Sequence, residues 1–222
     1  MNLPTVPLGS VIFNIESIGR QNEAAYLFEG RKLEQTTEMP PVQRIYIAGF
    51  MGVGKSTVSP RVAKKLGFDV MDLDAEIVRH LGLSIPGIFE VMGEEIFRET
   101  EYELLSTASE ATGLVVSLGG GAICREKTLQ LCLDTGLLIY LKSSARALAH
   151  RLARSGQARP LLFDERGTML KGEKLVARID ELLAVREPFY NRAHITITVD
   201  EFTTYHIAAT IEREFHSWRK SP

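Results

Sequence analysis

Gly49-Phe50-Met51-Gly52-Val53-Gly54-Lys55-Ser56-Thr57 satisfies the pattern G-x-x-x-x-G-K-[ST]. Glycine at three of these positions lets the backbone curl so that successive N–H groups point at a polyphosphate, and the helix that follows adds the positive end of its dipole. Lys55 then reaches the β- and γ-phosphates as a point charge, while the Ser56 hydroxyl is placed to hold the Mg²⁺ that accompanies ATP. Gly52, Val53, Gly54, Lys55, Ser56 and Thr57 are therefore the candidate ATP-binding residues, with Lys55 expected on an exposed rim. The context suits the motif: Arg44-Ile45-Tyr46-Ile47-Ala48 reads as a short buried strand and Ser56 to Leu66 as a helix.

The rest of the composition narrows the class. The 222 residues are 45% hydrophobic and 24% charged, enough for one good-sized globular domain with an appendage. A net charge of -2 gives no basic surplus of the kind nucleic acid or an anionic membrane requires, so small-molecule work is expected, with neither nucleic acid nor membrane as partner. Cys124 and Cys132 form no CxxC pattern, and His80, His150, His194, His206 and His216 are scattered, which indicates no zinc site. The two thiols read as small buried hydrophobes in a reducing compartment. No run approaches the ~18 apolar residues of a membrane span, and the N-terminus has neither a secretory layout nor the acid-poor composition of a transit peptide. A cytoplasmic monomer is the expectation.

Residues 1–41 read as an N-terminal extension, with Val11 to Ile15 a candidate strand, Glu23 to Phe28 a candidate helical turn, and Met39 an alternative start. From residue 42 to 222, apolar runs alternate with amphipathic stretches, the mark of an α/β domain with a mainly parallel sheet. Five strands are expected over Ile45 to Ala48, Phe68 to Met71, Leu114 to Leu118, Leu137 to Leu141 and Ile195 to Val199. Helical spacing runs from Glu94 to Glu110, through Ile96, Phe97, Leu104 and Leu105, and from Lys174 to Val185, through Leu175, Ile179, Leu182 and Leu183.

Ligands of a parallel sheet sit at the C-terminal strand ends, and the other charged and glycine-rich groups collect there. Asp72-Leu73-Asp74 follows the second strand, so that Asp72 can face Mg²⁺ and its waters while Asp74 meets a second substrate; helix capping and solvation explain the pair as readily. Arg98 lies between Glu94 and Glu101 at helical spacing, which ordinary surface ion pairing also explains. Gly119-Gly120-Gly121 ends the third strand and permits close backbone approach by a ligand, or else forms a turn. Arg151, Arg154 and Arg159 surround Ser155-Gly156-Gln157, and the polar stretch at residues 154–172 reads as a lid carrying an arginine to the transition state, or as a long surface loop. Arg186 is either a binding group or a cation at a helix C-terminus.

Taken together, Gly49 to Thr57, Asp72-Leu73-Asp74, Ile88-Phe89 through Gly93-Glu94 to Phe97-Arg98, Gly119 to Gly121, Arg159-Pro160-Leu161 and Arg186 to Tyr190 resemble the shikimate kinase family in order and spacing, over about residues 44–200. The resemblance implies a P-loop three-layer fold of the nucleoside-monophosphate-kinase type, with a five-stranded parallel sheet in the order 2-3-1-4-5. It implies ATP-dependent phosphorylation of the 3-hydroxyl of shikimate, a step toward aromatic amino acids. Catalysis would rest on Lys55, Asp74 and Arg159. Arg154 and Arg159 would join the loop in binding ATP, and Ser56 and Asp72, the latter through water, would serve Mg²⁺. Asp74, Arg98, Arg186, Gly119, Gly120 and Gly121 would bind shikimate, with Phe89 and Phe97 walling its ring.

Some positions depart from the family pattern. Ser59-Pro60 stands where a glycine and a basic residue are common; proline in the first turn of a helix is tolerable, so packing alone should change. The segment between Arg159 and Arg186 is longer than usual, and Phe202-Thr203-Thr204 lacks the proline often found near the adenine. A kinase of another small hydroxy acid or sugar, such as gluconate, shares loop and fold. A nucleotide-dependent switch would need the guanine-reading N-K-x-D, which the sequence lacks, and a non-catalytic regulatory domain is countered by the full set of charged residues.

Overall fold

The computed structural model describes residues 43–155 and 159–220. The readings at Val11 to Ile15 and Glu23 to Phe28 lie outside the described residues. β1 (Arg44–Ala48) leads through the glycine-rich loop into α1 (Lys55–Leu66), then β2 (Asp69–Asp72), α2 (Leu73–Leu81), α3 (Ile85–Val91) and α4 (Gly93–Ala108). β3 (Leu114–Ser117), a 3₁₀ turn (Ala122–Cys124), α5 (Glu126–Thr135), β4 (Leu137–Lys142) and α6 (Ala145–Arg154) follow. After a second 3₁₀ turn (Pro160–Leu162) come α7 (Gly172–Tyr190), β5 (Ile195–Thr198) and α8 (Thr204–Trp218). No helix among the described residues is long and apolar enough to cross a membrane.

The strands form one five-stranded sheet in the order β2-β3-β1-β4-β5, every pair parallel, as the resemblance implies. Ile45 sits between Val115 and Leu137, and Ile139 opposite Ile195. Successive side chains of a strand point to opposite faces. The unbroken burial of Ile45 to Ala48, Leu114 to Ser117 and Leu137 to Leu141 therefore means that both faces of the central strands are covered. β5, at one edge, alternates half-buried isoleucine with exposed threonine instead. α1 packs on α8, α6 on α7, and α4 on α2 and α3.

The strand boundaries fall within a residue of the expected ones. α7 runs five residues beyond Val185, so Arg186 is not at a helix C-terminus but inside the last turns, ahead of Pro188. The reason is that Tyr190 is fully buried and continues the apolar stripe of Leu175, Ile179 and Leu183. Pro60 is corrected too: α1 starts at Lys55, so the proline lies in its second turn, where it cannot bond the Ser56 carbonyl. Beside it, the Ser59 hydroxyl donates to the Lys55 carbonyl at 2.9 Å. In α4, Phe97 and Leu105 are buried, but Ile96 is 40% exposed and lies off the packed face.

Candidate active site

All four helices α2, α3, α6 and α8 start on a side-chain cap, from Asp72, Ser84, Ser144 and Thr203. α1 starts on Gly54, at φ 109°, and like α4, α5 and α7 has no side-chain cap, so the N–H groups of Lys55 and Ser56 have no side-chain acceptor. Those donors are left for an anion. Val53 is buried, Thr57 is exposed, and Gly52 turns at φ 79° against Leu152, which would lie 2.9 Å from a Cβ there.

Lys55 is 9% exposed, which corrects the expectation of an exposed rim. Its Nζ donates to the carbonyls of Gly49 at 2.7 Å and Phe50 at 3.1 Å, folding the side chain back over its own loop. Burial pulls its pKa down to about 8, against the opposing attraction of Asp74; Arg159, Asp72 and Arg186 also act on it. Those interactions place the four groups around one point. The Ser56 hydroxyl donates to Asp72 Oδ2 at 2.8 Å, and Asp72 Oδ1 accepts from Ala75 N, so Asp72 both caps α2 and faces the loop. A hydroxyl and a carboxylate so juxtaposed are the oxygen donors Mg²⁺ prefers.

Asp74 sits in the first turn of α2. Burial pushes its carboxyl up, while Lys55 works against that shift. The three glycines after β3 each face a different group. A Cβ on Gly119 would lie 2.6 Å from Asp74 Oδ1; one on Gly120, 3.4 Å from Met51 N and 3.6 Å from Arg186 Nη1; one on Gly121, 3.2 Å from Arg98 Nη2. The loop therefore runs from Asp74 at one end to Arg98 at the other, with the phosphate loop beside its middle.

Arg98 pairs with Glu101 at 2.9 Å and Glu94 at 3.2 Å. Burial opposes its charge, but the two carboxylates hold the guanidinium above its ordinary value. Its Cζ lies 5.1 Å from the centre of the buried Phe97 ring, and Phe89, 38% exposed, tilts against Phe97 at 4.9 Å. Arg186 reaches Gly120 O at 3.1 Å and lies over the Phe50 ring. Arg159 acts on both Asp74 and Lys55, and burial lowers its pKa.

Lys55, Ser56, Asp72, Asp74, Arg98, Arg159, Arg186 and the three glycines thus converge. Arg154 stands apart, exposed at the end of α6; one turn earlier Arg151 reaches Val53 O at 3.3 Å. The stretch 159–171 is tied down despite its polar composition: Leu162 is fully buried, its carbonyl accepts from Leu170 N at 2.9 Å, and Phe163 bridges Met169.

Glu101 is the group that sequence reasoning underrated. It is 1% exposed, burial raises its pKa, and its Oε1 has no hydrogen-bond partner among the described residues. Spacing alone makes it one half of a surface pair; only the packing of α4 reveals its burial.

A family model described as shikimate kinase matches residues 51–215. A shikimate kinase of Chloroherpeton thalassium is 40% identical over 177 residues, covering 78% of this chain and 94% of its own. One from Chlorobium phaeobacteroides is 42% identical over 168 residues, covering 76% and 86%. Among solved structures, a shikimate kinase from Acinetobacter baumannii in complex with shikimate superposes with a TM-score of 0.71 at 32% identity, over 81% of this chain and 96% of that one. The matched span contains the phosphate loop from Met51, Asp72, Asp74, Arg98, Gly119 to Gly121 and Arg186. The chain belongs to the shikimate kinase family.

Proposed function

We propose that this protein transfers the γ-phosphoryl group of ATP to the 3-hydroxyl of shikimate, giving shikimate 3-phosphate and ADP. The observation that carries the reading is the glycine loop. It turns through the bond from Ala122 N to Gly119 O and meets Asp74 at one end and Arg98 at the other. A carboxylate at one end and a guanidinium at the other suit a small ring carrying a hydroxyl and a carboxylate.

In this reading Arg98 and Arg186 hold the carboxylate, since a planar guanidinium matches it two-point, and Gly119, Gly120 and Gly121 let the ring lie against the backbone. Phe97, with Phe89 over it, walls one side. Asp74 orients the hydroxyl and accepts its proton as the oxygen attacks the γ-phosphorus and the bond to the β–γ bridging oxygen breaks. Its raised carboxyl brings it nearer the pKa of an effective base at neutral pH. Lys55 leaves the carbonyls of its own loop for the β- and γ-phosphates, Arg159 neutralises charge on the transferring group, and Arg154 lies on the adenine side. Ser56 directly and Asp72 through water would hold Mg²⁺, which screens the phosphates when bound.

The reading extends to residues 154–172 as a lid, to residues 1–41 as an extension of the kinase domain at 42–222, and to a place in aromatic amino acid biosynthesis. A reducing, cytoplasmic setting is supported by the free thiols of the buried Cys132 and half-buried Cys124. The test is ADP release with shikimate, quinate, gluconate and nucleoside monophosphates supplied separately. Turnover with shikimate alone is expected; silence with shikimate beside turnover of another acceptor would reassign the enzyme.

A further inference from the structure

Tyr190 closes α7 with its ring fully buried and stacked on Tyr140, the centroids 4.8 Å apart. Its hydroxyl donates to the Gly120 carbonyl. Arg186, one turn earlier on the same helix, donates to the same oxygen at 3.1 Å. A single backbone carbonyl in the glycine loop thus accepts from two side chains of α7, using both of its lone pairs.

Two consequences follow from the chemistry of the peptide. In a trans peptide the carbonyl of residue 120 and the N–H of residue 121 point in opposite directions, so whatever grips the carbonyl aims the N–H. The bonds of the turn itself run from Ala122 N to Gly119 O and from Cys124 N to Gly121 O and do not use the Gly121 N–H, while the Arg98 guanidinium lies 3.2 Å from where a Cβ on Gly121 would be. The second consequence concerns Arg186. A guanidinium drawn to a substrate carboxylate gives up or weakens its bond to Gly120 O, and a half-buried carbonyl stripped of its donor is costly.

We propose that Tyr190 is a positioning residue for the acid end of the substrate. Its hydroxyl keeps the Gly120 carbonyl paired when Arg186 turns to the carboxylate, and so holds the Gly120–Gly121 peptide in its orientation beside the clamp. The proposal rests on the reading of Arg98 and Arg186 as a carboxylate clamp, and it adds a group that touches neither substrate nor phosphate.

Tyr190→Phe keeps the ring and its stacking on Tyr140 and removes only the hydroxyl. In the free protein Arg186 still satisfies Gly120, so the melting temperature should stay near that of the wild type. The KM for shikimate should rise about tenfold, the loss expected when a half-buried acceptor goes unsatisfied, with the KM for ATP and kcat within about twofold. The shikimate carboxamide, which does not recruit Arg186 as an anion does, should bind wild type and variant equally in a calorimetric titration. Tyr140→Phe, whose hydroxyl faces Glu187, should leave both KM values unchanged. An unchanged shikimate KM in Tyr190→Phe would overturn the proposal, as would an equal rise for ATP and shikimate with a lowered melting temperature, which is the signature of a purely structural role. A wild-type protein that does not turn over shikimate at all would instead overturn the functional reading beneath it.

Discussion

The Ser56 hydroxyl donates to Asp72 Oδ2 at 2.8 Å, tying the first turn of α1 to the end of β2. In the proposed reading both oxygens would serve the nucleotide-bound cation. Asp72→Asn keeps an acceptor for the helix cap at Ala75 N, and asparagine caps as well as aspartate, so folding stability should hardly change. The Mg²⁺ concentration needed for half-maximal turnover should rise about 10- to 100-fold, the usual cost of losing an outer partner of a metal. Titrating Mg²⁺ at fixed ATP checks this, and an unaltered dependence would detach Asp72 from the metal.

Lys55 makes a prediction about protons. Its folded pKa of about 8 lies below the ordinary 10.5, so between those values the unfolded chain binds more protons than the folded one. This contribution to stability is full above 10.5 and is lost as the pH falls through about 8. Lys55→Met, with no charge to bury, should therefore gain stability over wild type at pH 7 and lose that advantage toward pH 10. A triphosphate favours the ammonium form, so ATP binding at pH 8 should take up about half a proton per molecule. Calorimetry in buffers of different ionisation enthalpy reads that number directly; no uptake, or the same uptake in Lys55→Met, would refute it.

The neighbouring glycines of the loop should respond unequally to a methyl group. In Gly119→Ala the new Cβ falls 2.6 Å from Asp74 Oδ1, so the carboxylate has to turn away from the position it now holds. A displacement of about 1 Å at a reacting group costs on the order of 10²-fold in rate, and kcat should fall by about that factor while the protein stays folded. In Gly120→Ala the nearest atoms are 3.4 Å and 3.6 Å away, close to ordinary contact, and most activity should survive. Equal kcat values for the two variants would show that the position of Asp74 is not what Gly119 protects.

The architecture was legible because its signals are local. The phosphate loop, the apolar strands and the glycines at strand ends each announce themselves within a few residues, and parallel-sheet topology then brings the strand ends to one rim. What was hidden depends on contacts between distant segments. Lys55 looks like a surface lysine until its loop closes over it and supplies two carbonyls; Glu101 looks like half of an exposed i,i+3 pair until α4 packs against the glycine loop. The end of α7 was read short because Arg186, Glu187 and Pro188 interrupt the apolar pattern, and the burial of Tyr190 that carries the helix past them is settled by Tyr140 and Gly120, more than forty residues earlier in the chain.

In the proposed reading Arg98 and Asp74 address opposite ends of the substrate and should fail in different ways. Lysine at position 98 keeps a positive charge but cannot make a planar two-point contact, nor hold both Glu94 and Glu101 as the guanidinium does. The loss should be about 1.5–3 kcal/mol, the worth of a hydrogen bond to a charged group, appearing as a roughly ten- to hundredfold rise in the KM for shikimate at little cost to kcat. Asparagine at position 74 keeps the size and one acceptor but cannot take the proton of the hydroxyl, so kcat should fall roughly 10²- to 10⁴-fold with shikimate affinity largely retained. Because Lys55 feels the charge of Asp74 as the largest force opposing its own deprotonation, Asp74→Asn should also lower the Lys55 pKa further and enlarge the proton uptake on ATP binding at pH 8. Steady-state kinetics in both substrates separate the two variants. Were Arg98→Lys to lower kcat with the shikimate KM unmoved, the guanidinium would belong to the reacting end, and the assignment of the two ends of the glycine loop would have to be reversed.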